Sequence, residues 1–301
     1  MGSKLQVSLD YLIPIINHWD FDATPIIVGV MGPQGSGKSY LSSHLSASLT
    51  DLYPHLHTIT ISSDDLYLTH EKQLSLINDY PNNQLITSGR GLPGTHDIPL
   101  LKDIFSKVIE RNTNYSIPTY DKSKNQGKGD RSSTDQWIRI GDRPVDILIF
   151  EGWFNGFLPI NDRNALYQKW ETSELLNKLD FENEIVLIDG LLNDYVDLWH
   201  NFNCFIYFDV EDLEYVYKWR IQQEHELIQI KGIGMTDSQV RKFVDRYIPV
   251  YLLYYDQLKR NGFSNPHLQT NVLFKDNLKI SLGPERDIIR FKTFSSLRSK
   301  F

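Results

Sequence analysis

The chain has 301 residues, and its 31 lysines and arginines against 38 aspartates and glutamates give a formal net charge of −7. A hydrophobic share of 41% is enough to build a core, so a mainly disordered chain is excluded, and the length suits one large domain or two modest ones. The acidic balance, spread over both halves of the sequence, excludes a basic platform for nucleic acid.

The sequence predicts a cytoplasmic protein that can reach the nucleus by diffusion. No apolar run approaches the roughly 20 residues that span a bilayer, and the first residues lack the apolar stretch of a signal peptide. The single cysteine, Cys204, lies in an apolar run, which favours a buried residue and a reducing compartment. The final tripeptide, Ser299, Lys300 and Phe301, differs from the peroxisomal Ser-Lys-Leu address only in its last side chain, and a polar tail is the alternative interpretation. The oligomeric state stays open.

Five short apolar runs, each bounded by turn residues, predict β-strands. They lie at residues 26–31, 58–61, 146–150, 205–208 and 272–274. Segments with helical spacing separate them, and parallel strands need such crossovers, which cover both faces of the sheet. We therefore expect an α/β fold with a parallel sheet and helices on both faces.

The first strand runs into a glycine-rich turn that matches G-x-x-x-x-G-K-[ST]. Its residues are Gly32, Pro33, Gln34, Gly35, Ser36, Gly37, Lys38 and Ser39. Leu41, Leu45 and Leu49 then form the apolar stripe of a helix. Glycines let the backbone N–H groups point inward at the positive end of that helix, which makes an anion site. The pattern predicts a nucleoside triphosphate bound with Lys38 at its β- and γ-phosphates and Ser39 on Mg²⁺.

Carboxylates follow the second and third strands, at the sheet edge that carries the phosphate loop. Asp64 and Asp65 come directly after the second strand, where Asp64 is a candidate general base or a ligand of Mg²⁺ through water. A helix N-cap is the alternative for either aspartate. Glu151 ends the third strand in a Walker-B-like run and is a candidate Mg²⁺ residue, with a structural carboxylate as the alternative.

The later elements suggest two long loops and a pair of helices. Residues 79–97 and 118–144 read as loops, and loops of this length usually hold a substrate pocket or a lid. Residues 120–131 carry a local basic excess that suits an anionic acceptor, although a solvated loop is the alternative. Residues 212–230 predict an amphipathic helix that ends at Gly232, and a capping box at residues 236–239 starts the next helix, which Pro249 should kink.

These residues resemble the phosphoribulokinase, uridine kinase and pantothenate kinase group of P-loop kinases, most of all its glycerate-kinase-like branch of plants and fungi. The matching segments are GPQGSGKS (32–39), SSDDLYLTH (62–70), GRGLPGTHD (89–97), IPTYDKSKNQGKGDR (117–131), FEGWFNGF (150–157), VYKWRIQQEHEL (216–227) and GMTDSQVRKFVDRYIPVY (234–251). The resemblance implies one P-loop kinase domain over residues 1–301. It also implies an adenylate-kinase-like, five-stranded parallel sheet in the order 2-3-1-4-5, and a lid at about residues 210–250.

The resemblance implies transfer of the γ-phosphoryl group of ATP to a hydroxyl of a small molecule, glycerate or a related hydroxy acid. Lys38, Asp64 and Arg220 would be catalytic, and Ser39, Asp64 and Glu151 would hold Mg²⁺. The two long loops would surround the acceptor, with six candidate binding residues: Arg90, His96, Asp97, Tyr120, Lys122 and Arg131. For Arg220, an ion pair with Glu224 one helical turn on is the alternative.

Two other functions stay open from the sequence. The acceptor of a kinase could instead be a nucleoside, pantothenate or another sugar acid, because loops on a shared scaffold select it. The chain could also be an ATP-binding regulatory protein without turnover. The aromatic residues Trp153, Tyr195 and Trp199 either line the acceptor pocket or belong to the core.

Overall fold

A twisted central sheet organises the molecule, and the computed structural model describes residues 2–264 and 275–295. The strands of the described residues are β1 Ile26–Met31, β2 Thr58–Ser62, β3 Tyr115–Ile117, β4 Tyr120–Asp121, β5 Asp130–Arg131, β6 Ile138–Ile140, β7 Ile147–Gly152, β8 Cys204–Val210, β9 Asn277–Leu282 and β10 Ile288–Phe294. Six of them form the central sheet in the order β10-β9-β8-β1-β7-β2, while β3 pairs with β6 and β4 with β5.

The five inner strands are parallel, and β10 adds an antiparallel edge to β9. Counted along the chain, the parallel strands lie in the order second, third, first, fourth, fifth. Strands β1, β7 and β8 are buried along their whole length, as expected for parallel strands covered on both faces. Strand β1 lies between β7 and β8, so the turn after β1 opens at the middle of the sheet edge.

Helices connect the strands and cover both faces. Those of the described residues are α1 Lys4–Ile16, α2 Lys38–Leu52, α3 His70–Asp79, α4 Gln84–Thr87, α5 Ile98–Ile109, α6 Arg163–Glu171, α7 Ile185–Trp199, α8 Glu214–Lys231, α9 Asp237–Asp245, α10 Ile248–Val250 and α11 Asp256–Asn261. Successive residues of a strand point to opposite faces. On β7, Phe150 packs against Phe105 of α5 and Trp199 of α7, whereas Glu151 contacts Ser39 of α2.

The α/β class and four strand positions were predicted correctly. The fifth predicted strand, at residues 272–274, lies outside the described residues, and the fifth parallel strand is Asn277–Leu282. The predicted helix at residues 212–230 is Glu214–Lys231, and it ends at Gly232, whose φ of 73° is the left-handed conformation that favours glycine. The capping box of Thr236 and Gln239 is present at the start of α9.

The kink expected at Pro249 is a break. Helix α9 ends at Asp245, and the chain resumes at Ile248–Val250 before a π-turn at Tyr251–Tyr255. Proline lacks the N–H that would continue the helical ladder, which explains the interruption. Within residues 2–264 and 275–295, no helix is long and apolar enough to cross a bilayer.

Candidate active site

The phosphate loop joins β1 to α2 in a conformation that depends on its glycines. Gly35 and Gly37 have φ angles of 80° and 87°, which most residues adopt only with strain. A Cβ atom on Gly35 would also lie 2.5 Å from the Cβ of Trp219 in α8. The loop therefore packs directly against α8, and both the angle and the contact require glycine at position 35.

Lys38, Ser39 and Glu151 meet at the mouth of this loop. The Ser39 hydroxyl donates to Glu151 Oε1 at 2.8 Å, and the Lys38 ammonium lies 3.7 Å from Glu151 Oε2. The Glu151 side chain is almost fully buried, and its Oε2 atom accepts no hydrogen bond. A hydroxyl, a carboxylate and a cation thus occupy one small volume at the start of α2, which is the donor set that a phosphate and its metal ion need.

Asp64 lies in a short 3₁₀ helix, Ser63–Leu66, that follows β2. Ser62 caps that helix through its side chain, so the cap that the sequence offered to Asp64 belongs to Ser62. The Tyr67 hydroxyl donates to Asp64 Oδ1 at 2.7 Å, and the Lys122 ammonium donates to Oδ2 at 2.5 Å. Burial raises the pKa of Asp64, but the nearby charges of Lys122 and Lys38 outweigh this effect and lower the pKa to about 2.

Two cations that the sequence did not single out support the phosphate loop from outside. Arg286 Nε donates to the carbonyl of Gly35 at 2.6 Å, and the Lys4 ammonium donates to the carbonyl of Ser36 at 3.3 Å. The C=O and N–H of one trans peptide point in opposite directions. The bond from Lys4 therefore turns the next N–H, that of Gly37, toward the inside of the loop.

A cavity of about 600 Å³ extends from the phosphate loop to the two long loops and α9. Six of the predicted site residues line it: Gln34, Lys38, Asp64, Arg90, Lys122 and Arg220. Of the six predicted acceptor-binding residues, four do not line it, namely His96, Asp97, Tyr120 and Arg131. The structure thus joins the phosphate loop, the candidate base and one part of each acceptor loop in a single cavity.

Arg90 organises the second of the long loops. Its guanidinium donates to the carbonyls of Gly127 and Lys128 and, at 3.4 Å, to that of Lys122. It also lies 5.6 Å from the ring centre of Tyr120, whose hydroxyl accepts a bond from Gln73. These bonds hold residues 122–128 over the cavity, so Arg90 shapes the cavity wall besides lining it.

His96, Asp97 and Arg131 lie behind that wall. Asp97 caps α5 and accepts hydrogen bonds from Lys72 at 3.0 Å and from Arg131 at 2.9 Å. Burial raises the pKa of Asp97, but these two hydrogen bonds lower it more, and the pKa lies below its ordinary value. Burial lowers the pKa of His96 to about 4, so this ring is neutral near pH 7.

Arg220 projects from α8 into the cavity. Its Nη1 donates to Gln223 at 2.8 Å, and its guanidinium lies 5.4 Å from the ring centre of Phe243. The ion pair with Glu224 that the sequence offered as an alternative is absent, because Glu224 is buried and accepts the backbone N–H of Met235. Arg220 is left without a carboxylate partner among the described residues, and it lines the cavity beside Phe243.

Sequence reasoning missed several residues that line the cavity. Arg246, Tyr247 and Phe243 come from the end of α9 and the turn that follows it. Lys128, from the basic segment 120–131, lines the cavity as well. Of the three aromatic residues left open, Trp153 lines the cavity, while Tyr195 and Trp199 are buried in the core. Arg246 stood inside a matching segment, but its spacing did not distinguish it from a surface arginine.

Known proteins with similar sequences extend over most of the chain, although no model of a protein family matches it. The chain is 40% identical to the probable ATP-dependent kinase TDA10 of Saccharomyces cerevisiae, over 87% of its own length and 90% of that protein. It is 32% identical to the chloroplastic D-glycerate 3-kinase of Arabidopsis thaliana, over 80% of its own length and 50% of that protein. The chain belongs to the glycerate-kinase-like branch of the P-loop kinases.

A solved structure of the same branch has the same fold. D-glycerate 3-kinase from Cryptococcus neoformans superposes with a TM-score of 0.80 and 34% identity, over 98% of this chain and 100% of that chain. As a member of this branch, the chain is an ATP-dependent kinase of small molecules. This agrees with a phosphate loop and a carboxylate that share one cavity.

Proposed function

We propose that this kinase transfers the γ-phosphoryl group of ATP to a hydroxyl of D-glycerate or a closely related hydroxy acid. One observation carries the proposal, which is that the cavity wall, including Lys38 of the phosphate loop, is strongly cationic. Its charged residues are one carboxylate, Asp64, and six cations: Lys38, Arg90, Lys122, Lys128, Arg220 and Arg246. An excess of this size beyond what phosphates need favours an acceptor that is itself an anion.

Asp64 is the proposed general base. It lies in the same cavity as Lys38, and its low pKa keeps it ionised at neutral pH. It would take the proton of the acceptor hydroxyl as the oxygen attacks the γ-phosphorus. The hydrogen bond from Tyr67 fixes the carboxylate, and Lys122 must give up part of its contact when the hydroxyl arrives.

Lys38 and Arg220 are proposed to neutralise the charge on the transferred group. Lys38 stands at the start of α2, and Arg220 lines the same cavity from α8. Helix α8 contacts the loop through Trp219 and Gly35, and it would act as a lid that holds Arg220 beside the phosphates and excludes water, the competing acceptor. Among the predicted binding residues, Arg90 and Lys122 would contact the acceptor. His96, Asp97, Tyr120 and Arg131 would act by holding the loops in place.

Ser39 and Glu151 fit a bound Mg²⁺ ion. Glu151 Oε2 is buried and accepts no hydrogen bond, and the Ser39 hydroxyl lies beside the same carboxylate. Among the described residues, no group of three or more acidic, histidine or cysteine side chains is arranged to hold a metal ion. This suits Mg²⁺, which keeps several waters and binds through few protein ligands and the phosphates. When bound, the ion would neutralise charge that develops on the β- and γ-oxygens, and Asp64 would approach it through water.

A coupled assay of ADP release tests the proposed acceptor. The purified protein is supplied with ATP, Mg²⁺ and, one at a time, D-glycerate, uridine, pantothenate and several sugar acids. We expect D-glycerate to raise ADP release far above the rate without acceptor. If uridine or pantothenate stimulates ADP release instead, that compound replaces D-glycerate as the proposed acceptor. If no acceptor stimulates ADP release, the result favours a regulatory protein.

Variants assign the chemistry to named residues. Asp64→Asn should lower kcat about 10²- to 10⁴-fold, the usual contribution of a general base. Asp65→Asn is the matched control, because Asp65 belongs to the same 3₁₀ helix and does not line the cavity. A comparable loss of kcat in both variants would remove Asp64 from this role. Glu151→Gln should raise the Mg²⁺ concentration needed for half-maximal rate about 10- to 100-fold.

A further inference from the structure

Arg246 is a buried cation at the acceptor end of the cavity, and no acidic side chain accompanies it. It follows α9, only 7% of its surface is exposed, and it lines the cavity. Its Nη1 donates to the carbonyl of Ser88 at 3.0 Å, and its Nη2 donates to the carbonyls of Leu85 and Gly89 at 3.1 and 2.8 Å. Its Nε is enclosed and has no hydrogen-bond partner.

These hydrogen bonds satisfy N–H donors of the Arg246 guanidinium but do not neutralise its positive charge. Within residues 2–264 and 275–295, Arg246 forms no ion pair with a carboxylate. Carbonyl oxygens carry only partial charges, so they fix the guanidinium while its full positive charge persists. Burial of an unpaired charge is unfavourable, and buried charges in proteins are normally paired. A group that stays buried and unpaired at a cavity wall is therefore complementary to an anion that enters the cavity.

The other cations of the wall are less suited to this task. Lys122 is bound to Asp64, and both Lys122 and Lys128 are exposed, so water competes for their ammonium groups. The guanidinium of Arg90 is already hydrogen-bonded to the backbone of residues 122–128. Lys38 belongs to the phosphate loop, and Arg220 is less buried than Arg246, with its Nη1 bound to Gln223. Among these cations, Arg246 combines a desolvated charge with a fixed position, and electrostatic attraction is strongest under those two conditions.

We infer that Arg246 is the residue that selects an acceptor with a carboxylate over a neutral alcohol. The inference rests on the proposed function, since it names what the same site recognises in the acceptor. The acid group would lie at the end of the cavity formed by Arg246 and the turn of Ser88 and Gly89. The reacting hydroxyl would then point back toward Asp64. Loss of the charge should therefore weaken acceptor binding and leave ATP binding as it is.

Two substitutions separate the charge of Arg246 from its structural bonds. Arg246→Gln removes the charge and keeps two N–H donors on a shorter side chain. Arg246→Lys keeps the charge with a less suitable geometry. Arg241→Gln is the matched control, because Arg241 lies on α9, is exposed, pairs with Glu214 and does not line this cavity. Thermal unfolding of each variant establishes that it is folded.

The measurements are KM and kcat for D-glycerate and for ATP, and the ratio of kcat/KM between D-glycerate and glycerol. For Arg246→Gln we expect a rise of at least tenfold in KM for D-glycerate, an unchanged KM for ATP, and a ratio that falls by about the same factor. Arg246→Lys should restore most of the preference, and Arg241→Gln should match the wild type.

Three results would overturn the inference. One is a preference for D-glycerate over glycerol that Arg246→Gln leaves intact. Another is an equal loss of kcat/KM for D-glycerate and for glycerol in Arg246→Gln, which would mean that Arg246 only supports the turn of Ser88 and Gly89. The third is a wild-type protein that no acid acceptor stimulates. That result overturns the proposed function as well, and it is seen before any variant is made, so the two failures are distinguishable.

Discussion

At the scale of single residues, the contact between Asp64 and Lys122 controls the candidate base. A base with a pKa of about 2 is ionised but weak, and the ammonium of Lys122 is the main favourable charge beside it. Lys122 therefore stabilises the ionised form of Asp64 without an acceptor, and the carboxylate becomes more basic when Lys122 turns away. In the proposed reaction, the arriving acceptor hydroxyl would displace part of the contact from Lys122 at the moment when the base is needed.

Removal of this cation should shift the pH dependence of the kinase. In Lys122→Met, burial still raises the pKa of Asp64, and only Lys38 and the hydrogen bond from Tyr67 remain to lower it, so the pKa must increase. Protonation then begins at a higher pH, and the acid limb of the kcat/KM profile should move upward. Lys124→Met is the control, since Lys124 lies in the same loop and bonds to the carbonyl of Arg131. An acid limb that is the same in both variants would contradict the assignment of Asp64.

At the scale of elements, the phosphate loop depends on parts of the chain that its motif does not include. Helix α1 supplies Lys4, the turn between β9 and β10 supplies Arg286, and α8 supplies Trp219. Arg286 also lies over the Trp219 ring, at 5.4 Å from its centre. These contacts suggest that the geometry of the loop is set from outside as much as by its glycines.

Loss of Arg286 should therefore weaken ATP binding specifically. Arg286→Met removes a charged hydrogen bond to Gly35, and we expect KM for ATP to rise about tenfold, or ~1.4 kcal/mol, with KM for the acceptor unchanged. Lys218→Met is a close control, because Lys218 pairs with the neighbouring Glu285 on the surface and does not contact the loop. A normal KM for ATP in Arg286→Met would mean that the loop holds its shape alone.

The elements that were predicted correctly are those with strong local signals. The strand, glycine turn and helix of residues 26–52 follow from the motif and the leucine spacing. Gly232 marks the end of α8, and Thr236 marks the start of α9. Helix α1 was not predicted, although its buried residues Leu12, Ile15 and Ile16 are apolar, because Pro14 interrupts the pattern. Strand β9 was not predicted, since Asn277 and Lys279 interrupt its apolar pattern.

The site was predicted less completely than the fold, for a physical reason. Lys38, Asp64 and Glu151 lie at strand ends, and the carboxyl ends of parallel strands share one edge, so their proximity could be expected. Arg246 reaches the cavity only because α9 folds back on the turn of residues 85–89. No local spacing encodes that approach. Nor did spacing separate Arg90, which lines the cavity, from Arg131, which lies behind it.

At the scale of the whole molecule, the placement of residues 1–301 in a single domain remains a prediction that unfolding can test. MgATP at 100 times its Kd should stabilise the folded state by ~2.7 kcal/mol and raise Tm by several degrees. One domain should unfold in one transition that moves as a unit. In Lys38→Ala the shift should largely disappear, and the control Lys292→Met, on the edge strand β10, should keep it. Two transitions, of which ATP moves only one, would contradict a single domain.

The contacts behind the phosphate loop also bear on how the protein is made. Arg286 and the carbonyl that it holds are 251 positions apart, and Lys4 and the Arg286 carbonyl are 282 apart. During translation the glycine turn emerges from the ribosome long before Arg286 has been added. A nascent chain therefore has the motif without its outer support, and tight nucleotide binding must wait until β9 and β10 have joined the sheet. ATP in the cell would then stabilise finished chains selectively, and it would contribute little to those still being synthesised.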